Sequence, residues 1–195
     1  MVRRFKVDTV TPLADVGLVV GVEEMKKHLG VDHAEDDGLI AVFLAAAQEA
    51  VEKFTGQVLT PRVLRWSAER FPCLPEPVRL YRSPVTAIVA VRYADSGGVM
   101  QSLDAADWRW SEAAGDTLLP ALAGDWPAFV PGAGAAAVQV DFEAGYEDGL
   151  APPALSQAVK LTAASYYLDR EGGGGGGELP PAAQFLCRPY RSVMI

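Results

Sequence analysis

Between Glu35 and Gly56 the apolar residues recur at Leu39/Ile40, Phe43, Ala46/Ala47, Ala50/Val51 and Phe54. This i, i+3/i+4, i+7 recurrence predicts an amphipathic helix of about five turns. The carboxylates of Glu35, Asp36 and Asp37 suit the positive end of its dipole, Lys53 suits the other end, and Gly56 can take the left-handed conformation that closes a helix. The middle, Ala45-Ala46-Ala47, is narrow enough for close packing. Just upstream, in GVEEMKKHLG, Val22, Met25 and Leu29 share one face, acids come early and bases late, and Gly30 ends the segment. This predicts a short helix, joined to the long one by VDHA as an αα-hairpin or corner.

A third helix is predicted in PPALSQAVKLTAASYYLDRE, where proline at the start costs no hydrogen bond. Leu155, Val159, Thr162 and Tyr166 make one stripe, and Leu161, Ala164 and Leu168 a second. A helix apolar on two sides packs against two neighbours, one expected to be the Glu35–Gly56 helix and the other to belong to a different subunit.

From residue 57 to 147 the period shortens. Val63, Arg65 and Ser67 alternate with Leu64, Trp66 and Ala68, and Ile88, Ala90 and Arg92 alternate with Val89, Val91 and Tyr93. Dense β-branched and aromatic residues support strands. Ser96-Gly97-Gly98 is a turn from which VMQSL returns. With DWRWSE, DTLLPAL and AAAVQVDFEAGY, about six short strands are expected, and the Gly/Pro-rich GDWPAFVPGAGAA reads as a loop.

The ends are less regular. In residues 1–20, Val7, Val10, Leu13, Val16 and Val19 show no clean period and Pro12 opposes a helix, so an extended lead-in is expected. After the third helix, Gly172–Gly177 is read as a flexible tether. ELPPAAQFLCRPYRSVMI follows, with Leu179, Phe185, Leu186 and Tyr190 apolar or aromatic and Arg188 and Arg191 basic. A tethered peptide with such anchors reads as a docking segment rather than part of the core, so deleting Leu179–Ile195 is expected to leave a folded protein.

Composition narrows the function. The chain has 195 residues, half of them hydrophobic, and a formal net charge of −8. That length buries a core as one domain, or one domain with an insertion. An acidic chain gains nothing from counterion release on DNA, although acidity suits a surface past which DNA slides. Two cysteines, Cys73 and Cys187, without a CxxC disfavour a disulfide framework or a zinc site. The N-terminus lacks the apolar stretch of a signal peptide, and no apolar run approaches the ~20 residues of a membrane span.

No GxGxxG following a strand, Walker loop, HExxH or GxSxG motif is present, and the hexaglycine follows a predicted helix and lacks the Lys-Ser/Thr of a phosphate loop. His33, Glu35, Asp36 and Asp37 are the densest polar cluster, but consecutive side chains at a helix start do not converge on a metal and better serve the dipole. His28 reads as a charge at a helix C-terminus rather than a base. Cys187 adjoins Arg188, which would lower its pKa, but has no nearby histidine. Trp66, Trp108, Trp110 and Trp126 suggest either a β-block core or a surface stacking on a carbohydrate or a base. No catalytic, cofactor-binding or metal residues are assigned.

The order of segments carries more than any one motif. EEMKKHLGVDHAEDDGLIAVFLAAAQEAVEKFTG, then LYRSPVTAIVAVRYADSGG, then VDFEAGY, then PPALSQAVKLTAASYYLDRE and LPPAAQFLCRPYR resemble the head–tail connector (adaptor) proteins of tailed bacteriophages with long flexible tails and of gene transfer agents. The resemblance spans roughly residues 20–191, and neither the lead-in nor the hexaglycine maps onto it. It implies a non-enzymatic structural protein without a cofactor. Such proteins form a ring of about twelve copies that extends the DNA channel below the portal and meets a tail-side stopper. Their C-terminal segment engages the portal.

The fold class expected is α+β. An antiparallel helical frame (21–56 and 150–171) carries a β-rich insertion (57–149), an extended lead-in (1–20) and a tethered docking tail (172–195). Portal-docking candidates are Phe185, Leu186, Arg188, Tyr190 and Arg191. Subunit-packing candidates are Phe43, Ala46, Ala47, Ala50 and Tyr166. Candidate channel-facing acids are Glu35, Asp36 and Asp37. Expected partners are further copies of the chain, the portal and the stopper, with DNA passing without sequence-specific binding and no membrane. The expected location is the particle neck, after assembly in the bacterial cytoplasm. The alternative is a ligand-binding β-domain protein that stacks a carbohydrate or base on its tryptophans.

Overall fold

The computed structural model describes residues 5–11, 16–73, 76–121, 125–127, 136–147, 150–169 and 179–191. These residues form β1 (Phe5–Thr9), α1 (Val22–Leu29), α2 (Asp37–Thr55), β2 (Arg62–Ala68), β3 (Val78–Arg79), β4 (Val85–Ala94), β5 (Met100–Ser102), β6 (Trp108–Arg109), β7 (Thr117–Pro120), β8 (Val138–Ala144), α3 (Pro153–Leu168) and α4 (Pro181–Cys187). Short 3-10 turns lie at Glu112–Ala114 and Arg188–Tyr190. The fold is α+β. The chain divides into a β unit, Met1–Val16 with Arg62–Gly145, and a helical unit, Gly17–Pro61 with Tyr146–Ile195. The hexaglycine and most of the Gly/Pro-rich loop lie outside the described residues.

In the β unit, a five-stranded antiparallel sheet runs β1-β2-β8-β4-β5, and a three-stranded one runs β3-β7-β6. Leu64 faces Phe142 and Trp66 faces Val140 across β2 and β8, and all four are buried. The 1–20 segment is more than a lead-in: Phe5 to Thr9 pairs with Ala68 to Leu64 as an edge strand. Its alternation, Phe5/Val7/Thr9 against Lys6/Asp8, covers only five residues and is obscured when residues 1–20 are read as one segment. Phe5 locks the strand down by stacking on Tyr81 (4.4 Å between centroids) and Trp66 (6.4 Å).

The simple alternation expected for β4 fails. Its pairing with β8 shifts between Val85 and Ala87 and again between Ile88 and Ala90. A bulge adds a residue and resets which face follows. Val89 is therefore 53% exposed while Val91, placed with it by strict alternation, is buried. The turn after β4 is as the glycines suggest: Asp95 Oδ1 accepts from the N–H groups of Gly97 and Val99, and Gly98 has φ +78°.

The helical unit packs α1, α2, α3 and α4 around one core of Val20, Met25, Ile40, Leu44, Ala47, Val51, Leu59, Leu155, Ala158, Val159, Ala163, Leu179, Ala183 and Cys187. Helix α2 begins at Asp37 rather than Glu35, and Gly56 closes it at φ +78°, its N–H bonded to Glu52 O at 2.8 Å. Buried Gln48 is fully used: its Oε1 accepts from Val19 N, and its Nε2 donates to Gly17 O and Thr60 Oγ1. One amide thus holds the segment entering α1 and the segment leaving α2. Of the two stripes on α3, the first is buried at Leu155, Val159 and Thr162, whereas Leu168 is 81% exposed.

Candidate partner-binding surface

The C-terminal segment departs most from the sequence reading. Leu179, Ala183 and Cys187 are buried in the core of the helical unit, and Leu186 and Tyr190 pack against it. The segment to Arg191 is therefore an integral part of that core, not a peptide held only by its tether. Its spacing explains why: Ala183 and Cys187 form the inward stripe of α4, and Leu179, four residues before Ala183, extends that stripe ahead of the helix. Cys187 behaves as a small core hydrophobe, and burial pushes its thiol up to about 11. The lowering anticipated from Arg188 does not occur, because Arg188 projects to the exposed side.

A hydrogen-bonded cluster fixes the end of this segment. Gln57 Nε2 donates to Tyr190 O (3.0 Å), and Tyr146 Oη donates to Gln57 Oε1 (2.9 Å). Burial, and then the neighbouring Tyr190, raise the Tyr146 phenol above its usual value. Thr55 Oγ1 donates to Val51 O and accepts from Gln57 N, while Glu52 Oε1 accepts from Leu59 N. The Arg191 guanidinium lies 5.1 Å over the Phe54 ring. The cluster joins TG at the end of α2, the tyrosine of GY and the PYR of the tail, three motifs widely separated in sequence. Sequence reading missed it because each member is an unremarkable polar or aromatic residue in its own segment.

On the exposed side of the tail, Phe185 is 71% exposed and Arg188 is exposed, while Arg191, also exposed, rests over Phe54. Beside it, a groove of about 460 Å³ is lined by Ala46, Glu49, Ala50, Lys53, Phe54, Leu179 and Gln184. The subunit-packing candidates separate accordingly. Ala47 lies wholly in the core, Phe43 meets Tyr166 at 6.4 Å within the chain, Ala50 is half-buried, and Ala46 is exposed on the groove.

The acids at the start of α2 are largely used internally. Asp36 accepts the Tyr167 hydroxyl, and Asp37 pairs with Lys26 at 2.8 Å. The Asp37 hydrogen bond raises the Lys26 ammonium above its ordinary value. Glu35 stays exposed beside His33 (2.9 Å). Among the described residues no group of three or more His, Cys, Asp or Glu could hold a metal ion. No helix among them is long and apolar enough to cross a membrane.

In the β unit, Asp141 is bracketed by Arg65, 2.6 and 2.9 Å away, and Arg92 at 2.6 Å. Burial alone would raise its carboxyl, but the two guanidiniums hold it below the usual range. Three of the four tryptophans serve the β unit itself. Trp66 and Trp126 are buried, Trp126 stacks on Phe71 at 4.4 Å, and Trp110 Nε1 donates to Gly115 O.

Residues 20–95 match the model of the phage gp6-like head–tail connector protein family. The chain is also similar to solved chains from gene transfer agent particles. One, from the neck of an empty particle computed with C6 symmetry, is 28% identical with a TM-score of 0.78 and covers 97% of each chain. The chain is thus similar to head–tail connector proteins. A second similar chain, from the native particle's neck computed with C12 symmetry, has 28% identity and a TM-score of 0.77 over 97% of each chain. A third, from the native virion, gives 28% identity and 0.77 over 97% of this chain and 96% of that one. Comparison with curated proteins returned no significant match. The family match takes in α1, α2, β2, β3 and β4, whereas the structural likeness extends through α3 and α4.

Proposed function

We propose that the chain is a connector subunit that forms a ring of about twelve copies between portal and tail-side stopper and extends the DNA channel. The single observation that carries this reading is likeness to particle-neck chains over 97% of both partners, in necks computed with C6 and C12 symmetry. The net charge of −8 suits a channel wall to which DNA does not adhere. On this reading Glu35, rather than the internally paired Asp36 and Asp37, is the acid available to the channel. Assembly takes place in the bacterial cytoplasm and the finished ring resides in the neck. The seated tail presents Phe185 and Arg188 to the portal, while Leu186 and Tyr190 act from behind by holding α4 in place. Producing cells that lack the chain should yield DNA-filled heads separated from tails, and supplying the chain should restore joining, as seen by electron microscopy. Normally joined particles in its absence would overturn the proposal.

A further inference from the structure

We infer that neighbouring copies join by inserting Leu168 of one chain into the α2–α4 groove of the next. The inference rests on the ring reading above. A closed ring uses heterologous contacts, so each copy must carry two different complementary patches. The helical unit supplies both. The groove, about 460 Å³, has apolar walls of Ala46, Ala50, Phe54 and Leu179. Leu168, on the last turn of α3, is 81% exposed, the most exposed large hydrophobic residue among those described.

The two patches lie apart. The Tyr167 hydroxyl bonds Asp36, so the end of α3 lies at the start of α2. Ala46 is ten residues further along α2, about 15 Å by helical rise. Phe185 (71%), Leu150 (66%) and Val42 (63%) are the other strongly exposed hydrophobic side chains in this unit, all less exposed than Leu168, and Phe185 adjoins Gln184 on the groove wall. A projection beside its own groove favours a two-fold pair over a ring. The occupant is a second copy because similar chains stand in necks of C6 and C12 symmetry.

The test is a cysteine pair in the full chain, Leu168→Cys with Ala46→Cys, on a Cys73→Ser background that removes the exposed native thiol. Mild oxidation of assembled material, either purified chain that is multimeric by native mass spectrometry or particles bearing it, should give a ladder of covalent multimers. Each single-cysteine chain should stop at monomer or dimer. A chain that assembles but gives no ladder overturns the groove assignment and leaves the ring reading standing. A wild-type chain that is monomeric both alone and in neck-bearing particles overturns the ring reading, and this inference with it. Separately, Leu168→Asp should raise the concentration for half-assembly about tenfold or more while leaving the monomer folded.

Discussion

At the scale of single residues, adjacent alanines have opposite roles. Ala47 is fully enclosed by the helical core, whereas Ala46 lies on the groove. Ala47→Leu should overpack the core and cost about 1–3 kcal/mol in urea unfolding, while Ala46→Leu should stay within about 0.5 kcal/mol. Equal losses would mean that Ala46 is covered within the chain. The sequence alone assigned both to packing, because a small-residue stripe states that something approaches closely but not which side of it is already occupied. Asp141 gives a second prediction. Its carboxyl is lowered by Arg65 and Arg92, so its contribution is full above the unfolded value of about 4 and is lost as pH falls through the folded value. Asp141→Asn should therefore cost about 2–3 kcal/mol at neutral pH, and the gap to wild type should close in acid. Both guanidiniums are about a third exposed, which keeps the figure below that of a fully buried pair. An unchanged gap at low pH would show that shape, not charge, is what Asp141 supplies. The triad was not legible beforehand, since bulges in β4 decide which residues reach Asp141 and bulges leave little mark on a short apolar run.

At the scale of elements, α1, α2 and α3 were legible because long amphipathic periods with matched caps and charges are the strongest local signal a sequence offers. The seven-residue α4 was read only as part of a docking segment. Two inward turns between prolines do not distinguish a docking peptide from a core helix; its partners, Leu155-side and Val51-side residues of the core, are remote in sequence. The consequence is testable and reverses the sequence-based expectation. Deleting Leu179–Ile195 removes three core side chains and the Gln57–Tyr190 bond, and should destabilise the helical unit by several kcal/mol, with a clear fall in Tm. A truncated chain as stable as the full one would show that the tail does not stay seated. Thiol reactivity checks the same packing without truncation. Exposed Cys73 should react promptly with Ellman's reagent at pH 8, while Cys187, buried and with a pKa of about 11, should react only on unfolding. Two fast thiols would mean that α4 opens readily.

At the scale of the whole molecule, the tail's inner face is committed to the chain's own core, so a partner can read only its outer face unless α4 is unseated. This separates two kinds of tail variant. Phe185→Ala with Arg188→Glu alters exposed side chains that support nothing internally, so stability should change by less than about 0.5 kcal/mol. Ala183→Glu instead places a carboxylate in a fully buried position and should cost about 3 kcal/mol or more. If the seated tail meets the portal, the outer pair should abolish incorporation into particles at wild-type thermal stability, as measured by immunoblotting purified particles. Wild-type incorporation of the outer pair would remove Phe185 and Arg188 from the contact. Failure of only the Ala183→Glu chain would assign the tail a purely internal role, because a folded helical unit would then be all that assembly requires of it.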